Sequence, residues 1–240
     1  MKHCEHTENV PERGTLYGVS VGPGDPELMT LKAVRVIKEC QVIALPNESL
    51  EDCVAYRIAL GAVPEIAEKE ILCLPMPMTK EKEVLENCHQ KAAKTIRERL
   101  AKGENVAFLT LGDATVYSTC LYVYQRVLQA GEKAEIVSGV PSFCAVSAKL
   151  NRALVSGSEE LHVLPATYQI EEGLNLSGVK VLMKSGKKIS VVKELLIKEH
   201  KEAAGVLCCG MDGEKIYHSA EEIDEDAGYY SLFIVRDKEE

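Results

Sequence analysis

Residues 18–40 carry the sequence GVSVGPGDPELMTLKAVRVIKEC, and the interpretation of the whole chain starts from this stretch. The weakly alternating run at residues 14–21 predicts a β-strand, which a turn of Gly and Pro ends. Apolar residues then recur at helical spacing: Leu28, Leu31, Val34 and Ile37. The stretch therefore predicts a strand, a tight turn and a helix, which is the repeating unit of an α/β fold.

Strands and helices alternate along the rest of the chain. Short apolar runs predict strands at residues 41–45, 105–110, 134–137, 161–164, 179–183 and 204–208, of which the first two are expected to be buried. Periodic segments predict helices at residues 52–60, 84–100, 120–130, 142–150 and 188–200. This order favours α/β layers with a mostly parallel sheet.

Two α/β domains are expected, at residues 14–117 and 118–240. The apolar run at residues 229–235 closes the chain close to other strands, so the second domain is expected to hold a mixed sheet with some antiparallel pairing. The polar segment 165–177 is interpreted as a linker or a long loop.

Composition narrows the functional class. The chain has 240 residues, of which 46% are hydrophobic, and a formal net charge of −9, so we expect a folded globular protein without a nucleic-acid partner. No run approaches the ~20 apolar residues that span a bilayer, and the polar N-terminus does not resemble a signal peptide. We therefore expect a cytoplasmic protein without a membrane partner. The nine cysteines include no CxxC pair, and we interpret them as reduced, small hydrophobic residues.

The turn at residues 21–27, VGPGDPE, lies where ligands bind in open parallel sheets, at the carboxyl end of a strand. It is not a dinucleotide fingerprint, because Glu27 stands where the third glycine belongs, and no Gly-Lys-Ser/Thr follows as in a P-loop. Its prolines also remove hydrogen-bond donors. The alternative interpretation is a stiff strand-to-helix turn with Asp25 near the helix start.

Four further turns follow predicted strands: residues 110–119 (TLGDATVYST), 137–142 (VSGVPS), 183–188 (MKSGKK) and 209–214 (CGMDGE). Exposed backbone groups at the Gly112 turn could bind an adenosyl or amino-acid moiety. Alternatively, Asp113 or Ser118 caps the next helix. The lysines at 184, 187 and 188 either meet substrate carboxylates or form a solvated loop.

Few residues suggest a metal site or a catalytic nucleophile. His3, Cys4 and His6 could ligate a metal, but the remaining histidines lack metal-ligand spacing. No G-x-S-x-G motif and no Cys/His pair stands out. We therefore expect no metal site, and the sequence assigns no catalytic residue.

In their order along the chain, these turns resemble the tetrapyrrole methylase family, whose members alkylate uroporphyrinogen and precorrins with S-adenosylmethionine. The resemblance runs from about Gly14 to about Val235 and is carried by VGPGDPELMTLKA, TLGDATVYST, EIVSGVPSF and VLMKSGK. The Tyr-Ser-Thr after the Gly-Asp turn, the Met-Lys before the later glycine and the closing YYSLFIV are similar to the branch that methylates C20 of precorrin-2.

The resemblance implies two α/β domains with a cofactor cleft between them, first-domain loops that hold the tetrapyrrole, and a homodimer. It implies methyl transfer from S-adenosylmethionine to C20 of precorrin-2 or cobalt-factor II in cobalamin biosynthesis. The residues expected to contact the cofactor are Pro23, Leu111, Gly112, Asp113, Val116, Pro141, Ser142, Ser185 and Gly210.

The chain departs from the family pattern in two cofactor loops. Ala114 stands where the family usually has proline after Gly-Asp, and residues 138–142 read SGVPS rather than PGVSS. Three alternatives stay open: a sister methylase acting at another ring position or on uroporphyrinogen, a more distant relative that modifies a diphthamide precursor, and a cofactor-binding module without turnover. The altered loops support only the last of these.

Overall fold

The computed structural model describes residues 12–165, 170–185 and 188–238. They divide into two compact units, each built on a five-stranded sheet. The first unit comprises the chain up to Val21 and Met29–Gly139, and the second comprises Gly22–Leu28 and the chain from Val140 onwards. The prediction of two α/β domains is confirmed.

The first unit alternates five strands with four helices. The strands are β1 (Thr15–Ser20), β2 (Val42–Leu45), β3 (Glu70–Cys73), β4 (Val106–Thr110) and β5 (Lys133–Val137). The helices are α1 (Leu31–Glu39), α2 (Val54–Ala62), α3 (Lys82–Leu100) and α4 (Cys120–Gln129). All strand pairs in the order β3-β2-β4-β1-β5 are parallel.

Strand β4 shows why this sheet needs helices on both faces. All five of its residues are buried. Val106 and Phe108 pack among buried residues of α3 and α4, whereas Ala107 and Leu109 pack among those of α1 and α2. A strand covered on both sides reads as a continuous apolar run, as this one does.

Helix α1 begins at Leu31 rather than near Leu28. The Thr30 hydroxyl accepts a hydrogen bond from the Ala33 N–H at 3.2 Å and caps the helix, while Pro26–Leu28 forms a separate 3₁₀ turn. Strand β3 was not predicted, because it is a short edge strand of which no residue is fully buried.

The second unit holds a mixed sheet, as expected. Its strands are β6 (Leu161–Pro165), β7 (Val179–Met183), β8 (Glu202–Leu207), β9 (Lys215–Tyr217) and β10 (Ser231–Arg236), with helices α5 (Ser142–Lys149), α6 (Ile170–Leu174) and α7 (Ile189–Lys198). The order is β6-β7-β10-β8-β9, in which only the β6–β7 pair is parallel.

The interpretation of residues 165–177 as a linker or a long loop is wrong in part. Helix α6 lies within this segment. Its residues Ile170 and Leu174, one helical turn apart, are buried in the same hydrophobic cluster as Phe233. A single turn offers too few periodic positions to be recognised from the sequence.

The two compact units do not divide at residues 117 and 118. Strand β5 pairs with β1 from Thr15 opposite Lys133 to Val19 opposite Val137. These hydrogen bonds bring α4 and β5 into the first unit, which ends at Gly139.

The described residues contain neither a membrane-spanning helix nor a disulfide. Within them, no helix is both long and apolar enough to cross a membrane. The cysteines in these ranges are all free thiols; Cys40, Cys53, Cys120 and Cys209 are buried, whereas Cys73 and Cys144 are exposed.

Phe108→Ala is expected to destabilise the first unit by about 3–5 kcal/mol, because it leaves a cavity in a core that cannot fully collapse. Phe108 is completely buried. Urea unfolding followed by circular dichroism measures the loss. The control is Leu128→Ala on α4, where the side chain is 42% exposed. A loss for Phe108→Ala no larger than that of the control would contradict this account of the core.

Candidate functional site

Strands β4, β1 and β5 are neighbours in the first sheet and end at one edge. The loops that leave them begin at Leu111, Val21 and Ser138. In open parallel sheets the carboxyl edge is where ligands bind. Four candidate residues, Leu111, Gly112, Asp113 and Val116, lie on the loop after β4.

Asp113 joins this loop to the loop after β5. Its Oδ2 accepts hydrogen bonds from the Ser138 hydroxyl at 2.8 Å and from the Gly139 N–H at 2.7 Å. Its Oδ1 accepts the N–H of Thr115 at 2.7 Å and also the Thr115 hydroxyl. A carboxylate has about four acceptor sites, so these four donors occupy the group. These partners belong to the two loops themselves, and a contact of Asp113 with the cofactor stays a prediction.

The surroundings of Asp113 keep it ionised. Burial raises the pKa of the carboxyl, but the hydrogen bonds from Thr115, Gly139 and Ser138 outweigh it and hold the pKa below its ordinary value. A buried carboxylate that is ionised and fully bonded is poorly suited to accept a proton. Asp113 is therefore not the general base of this edge.

A second hydrogen bond ties the same loop to β1. The buried Ser20 hydroxyl accepts the Ala114 N–H at 2.8 Å. A proline at position 114 would have no N–H. The alanine found here, which departs from the family pattern, therefore allows a hydrogen bond to Ser20 that a proline could not make. An added Cβ on Gly139 would stand 2.4 Å from the Ser20 Cβ and 2.8 Å from the Gly112 carbonyl oxygen. Only glycine fits between the two loops at this point.

The remaining candidates of this loop differ in what they leave open. Leu111 packs on the hydrophobic core, and the Val116 N–H donates to the Asp113 carbonyl at 3.1 Å. Gly112 has φ of +71°, and a Cβ added to it would meet no atom within 4 Å. The loop is thus anchored to the hydrophobic core through Leu111 and leaves open space next to Gly112.

The N-cap residue of α4 is Thr119, whose side chain makes no capping hydrogen bond, so neither Asp113 nor Ser118 is the N-cap. The Ser118 hydroxyl accepts the N–H of Cys120, the first residue of α4, at 3.2 Å. It also shares a 2.8 Å hydrogen bond with the Thr110 hydroxyl. Asp113 does not cap α4, because its oxygens face Thr115 and the residues 138–139.

In the second unit, the structure brings Pro23 and Gly210 onto adjoining loops. A Cβ added to Gly24 would stand 2.1 Å from the Cys209 carbonyl oxygen, and one added to Gly210, where φ is +74°, would stand 2.6 Å from the Asp25 nitrogen. The two backbones therefore touch directly. Asp25 accepts the Glu27 N–H at 2.9 Å, which confirms its interpretation as a residue near a helical start.

The candidates Pro141 and Ser142 lie at the beginning of α5. Pro141 is the N-cap residue, and its carbonyl accepts the Cys144 N–H at 3.1 Å. Both residues are half-buried. Proline suits this place, because the first residues of a helix have no intrahelical use for an N–H.

Ser185 follows β7 and is the most unusual of the candidates. The residue is 0% exposed, and its hydroxyl has no hydrogen-bond partner among the described residues. Leaving a buried hydroxyl unpaired costs free energy. The arrangement fits a site at which a ligand supplies the missing partner.

The structure does not decide whether the neighbouring lysines bind substrate carboxylates or form a solvated loop. Lys184 and Lys188 each take part in an interaction, so neither is free. Gly186 and Lys187 lie outside the described residues. A role for this run in binding substrate carboxylates stays a prediction.

Metal ligands are not grouped in the described part of the chain: no cluster of His, Cys, Asp and Glu side chains there could hold a metal ion. The tail residues His3, Cys4 and His6 lie outside it. The residues that sequence reasoning missed are Ser20, Thr115, Ser138 and Gly139. Their partners are distant in sequence or only two residues away, so no periodic pattern marks them.

Comparison with known proteins identifies relatives over nearly the whole chain. The family model described as tetrapyrrole (corrin/porphyrin) methylases matches residues 15–224. A probable cobalt-precorrin-2 C(20)-methyltransferase of Methanocaldococcus jannaschii is 36% identical over 182 residues, which are 74% of this chain and 76% of that protein. The cobalt-precorrin-2 C(20)-methyltransferase of Salmonella typhimurium is 29% identical over 92% of this chain and 96% of its own length.

Solved structures agree on the fold. The uroporphyrin-III C-methyl transferase of Thermus thermophilus, in complex with S-adenosylhomocysteine, is similar with a TM-score of 0.67 and 21% identity. The similarity covers 93% of this chain and 97% of that one. At this identity the likeness establishes the fold alone.

Asp113→Asn is expected to cost about 2 kcal/mol in the free energy of unfolding near neutral pH, because an amide nitrogen would face donors that now meet an oxygen. A carboxyl whose pKa is depressed on folding stabilises the protein above its unfolded pKa, and this contribution is lost as the pH falls through the folded value. The difference between wild type and variant should therefore narrow below the ordinary Asp value of 3.8.

Urea unfolding at several pH values measures this difference. The matched control is Asp52→Asn, which removes an exposed carboxylate that also accepts a hydroxyl, that of Ser49. The control should change stability by no more than about 0.5 kcal/mol. Equal losses in the two variants at neutral pH would show that Asp113 does not hold its loops together.

Proposed function

Because the chain belongs to the tetrapyrrole methylase family, we propose that it transfers a methyl group from S-adenosylmethionine to C20 of precorrin-2 or of its cobalt form in cobalamin biosynthesis. The observation that carries this proposal is the similarity of 74% and 92% of the chain to two relatives named for methylation at C20.

The chemistry of the candidate residues fits an adenosyl ligand. The Ser185 hydroxyl is buried without a partner, and such a group can bind a ribose or adenine atom. Gly112 leaves space next to its backbone. We propose that the loops carrying the nine candidate residues bind S-adenosylmethionine.

A bound sulfonium supplies an already activated methyl group: the C20–CH₃ bond forms as the S–CH₃ bond breaks, and the C20 proton leaves. The residues of the chain then mainly need to position the partners and exclude water. Asp113 serves that purpose by holding the loops after β4 and β5 at a fixed spacing. It is not proposed as the group that removes the C20 proton, because its acceptor sites are occupied.

The first unit is proposed to hold the tetrapyrrole, and two features of its carboxyl edge support this. Leu31 and Met78, on segments that follow β1 and β3, are 89% and 87% exposed, and apolar side chains can cover the face of a macrocycle. Lys80 and Lys82 follow Met78, and both residues are exposed. Ammonium groups suit the acetate and propionate groups of the substrate.

The same resemblance leads us to propose a cytoplasmic homodimer. Light scattering on the purified protein tests the oligomeric state. A monomer at micromolar concentration would contradict this part of the proposal without affecting the reaction assigned to the chain.

The reaction is tested with methyl-labelled S-adenosylmethionine and with precorrin-2 and its cobalt form offered in parallel. We expect one added methyl group on C20, located by mass spectrometry and NMR, and the faster substrate identifies the natural one. A methyl group elsewhere on the ring would replace the C20 assignment by that of a sister methylase. Binding of the cofactor by folded protein without transfer to either substrate would favour a different acceptor or a binding module.

Ser185→Ala is expected to weaken S-adenosylhomocysteine binding by about tenfold, because a hydrogen bond to the ligand is lost. The free protein should keep or gain stability, because the unpaired hydroxyl is removed as well. Titration calorimetry and thermal unfolding measure the two effects. Ser147→Ala is the control, since that buried hydroxyl donates to the Arg152 carbonyl. This variant should lose stability and keep its affinity for S-adenosylhomocysteine. Unchanged affinity in Ser185→Ala would remove Ser185 from the cofactor site.

A further inference from the structure

The turn after β8 contains the carboxylate of Glu214, the last residue of the CGMDGE motif, to which the sequence assigned no role. Residues 208–211 form one turn, closed by a 2.9 Å hydrogen bond from the Met211 N–H to the Cys208 carbonyl. A second turn follows at once, closed at 3.2 Å from the Glu214 N–H to the Met211 carbonyl. These two turns fold the Glu214 side chain back towards Gly210.

Glu214 makes two contacts, one with each carboxylate oxygen. Its Oε2 accepts the Gly210 N–H at 2.7 Å, and its Oε1 lies 3.0 Å from the Nζ of Lys149. Lys149 is the last residue of α5, the helix that begins with the candidates Pro141 and Ser142. The carboxylate therefore connects the Gly210 turn to the helix that carries two other candidates.

The Gly210 turn is in turn packed against the loop of Pro23. The approach of Gly24 to the Cys209 carbonyl and of Gly210 to Asp25 leaves no room for a side chain on either glycine. A displacement of the Gly210 turn would therefore move the Pro23 loop as well. Two of the five candidate residues of the second unit, Pro23 and Gly210, therefore lie on loops that are packed directly against each other.

Stability alone does not explain this arrangement. The side chains of Lys149 and Glu214 are 42% and 26% exposed, and exposed ion pairs contribute little to stability. What the contacts provide is a fixed conformation for a turn in which both Cys208 and Gly210 have positive φ angles. Holding a loop in its binding conformation before the ligand arrives raises affinity.

Resting on the function proposed above, we propose that Glu214 is a positioning residue for S-adenosylmethionine: by binding the Gly210 N–H and Lys149, it holds the Gly210 turn, and through it the Pro23 loop, in the conformation that binds the cofactor. The Gly210 N–H is occupied by this contact. The turn consequently offers the cofactor its carbonyl groups and its packed backbone surface, and not that donor.

The test compares Glu214→Ala with Glu214→Gln in the full-length protein. The alanine variant is expected to raise the Kd for S-adenosylhomocysteine and the KM for S-adenosylmethionine by about tenfold. The kcat at saturating cofactor and the KM for the tetrapyrrole should stay within about twofold, since neither depends on a contact that is removed. The glutamine variant keeps an acceptor oxygen for the Gly210 N–H and should recover affinity to within about threefold of wild type.

Glu202→Gln is the matched control, because it removes an exposed ion pair of the same unit, with Arg152, away from these loops. Thermal unfolding of all variants separates a positioning effect from general destabilisation. We expect unfolding temperatures close to that of wild type and a change in Kd for Glu214→Ala alone.

Two results would overturn the inference in distinguishable ways. If wild type binds S-adenosylhomocysteine and Glu214→Ala binds it equally well, the positioning role is wrong and the proposed function stands. If the folded wild type binds no S-adenosylhomocysteine, the proposed function fails and the positioning role fails with it.

Discussion

One carboxylate organises the carboxyl edge of the sheet in the first unit. The four hydrogen bonds to Asp113 fix the loop after β4 internally, through Thr115, and bind it to the loop after β5, through Ser138 and Gly139. Two loops that leave different strands thereby act as one surface. Because the hydrogen bonds from these neutral donors outweigh the effect of burial, the group stays charged without a cation beside it, and no lysine or arginine is needed where a cationic cofactor is expected.

In the second unit a loop is likewise held by a carboxylate, that of Glu214, which is more exposed than Asp113. Glu214 also binds a glycine N–H, but its second oxygen meets Lys149. In both units a loop near a strand end is held by an acidic side chain that accepts a backbone N–H from a glycine.

Much of the fold could be predicted because it depends on local pattern. The β4 run Val106–Thr110 is apolar throughout and was recognised as a buried strand, and the turn at Gly112 follows from its glycine. Strand β3 and helix α6 were not recognised, because an edge strand with half-buried residues and a single helical turn carry little periodicity. The division of the chain was placed too early, since the pairing of β5 with β1 is a long-range contact. The Asp113 position was identified from its motif, but its partners at 138 and 139 were not, because hydrogen bonding across 25 residues has no sequence pattern.

The segment Gly22–Leu28 belongs to the second unit, although the chain on both sides of it belongs to the first. The chain leaves the first unit after Val21, returns at Met29 and leaves again after Gly139. A gene fragment encoding only residues from Val140 onwards would lack the seven-residue segment against which the Gly210 turn packs. The remaining fragment would contain that segment without the residues against which it packs. The two units are therefore not independent genetic modules, and recombination between relatives preserves both only when it exchanges the 22–28 segment together with the C-terminal half.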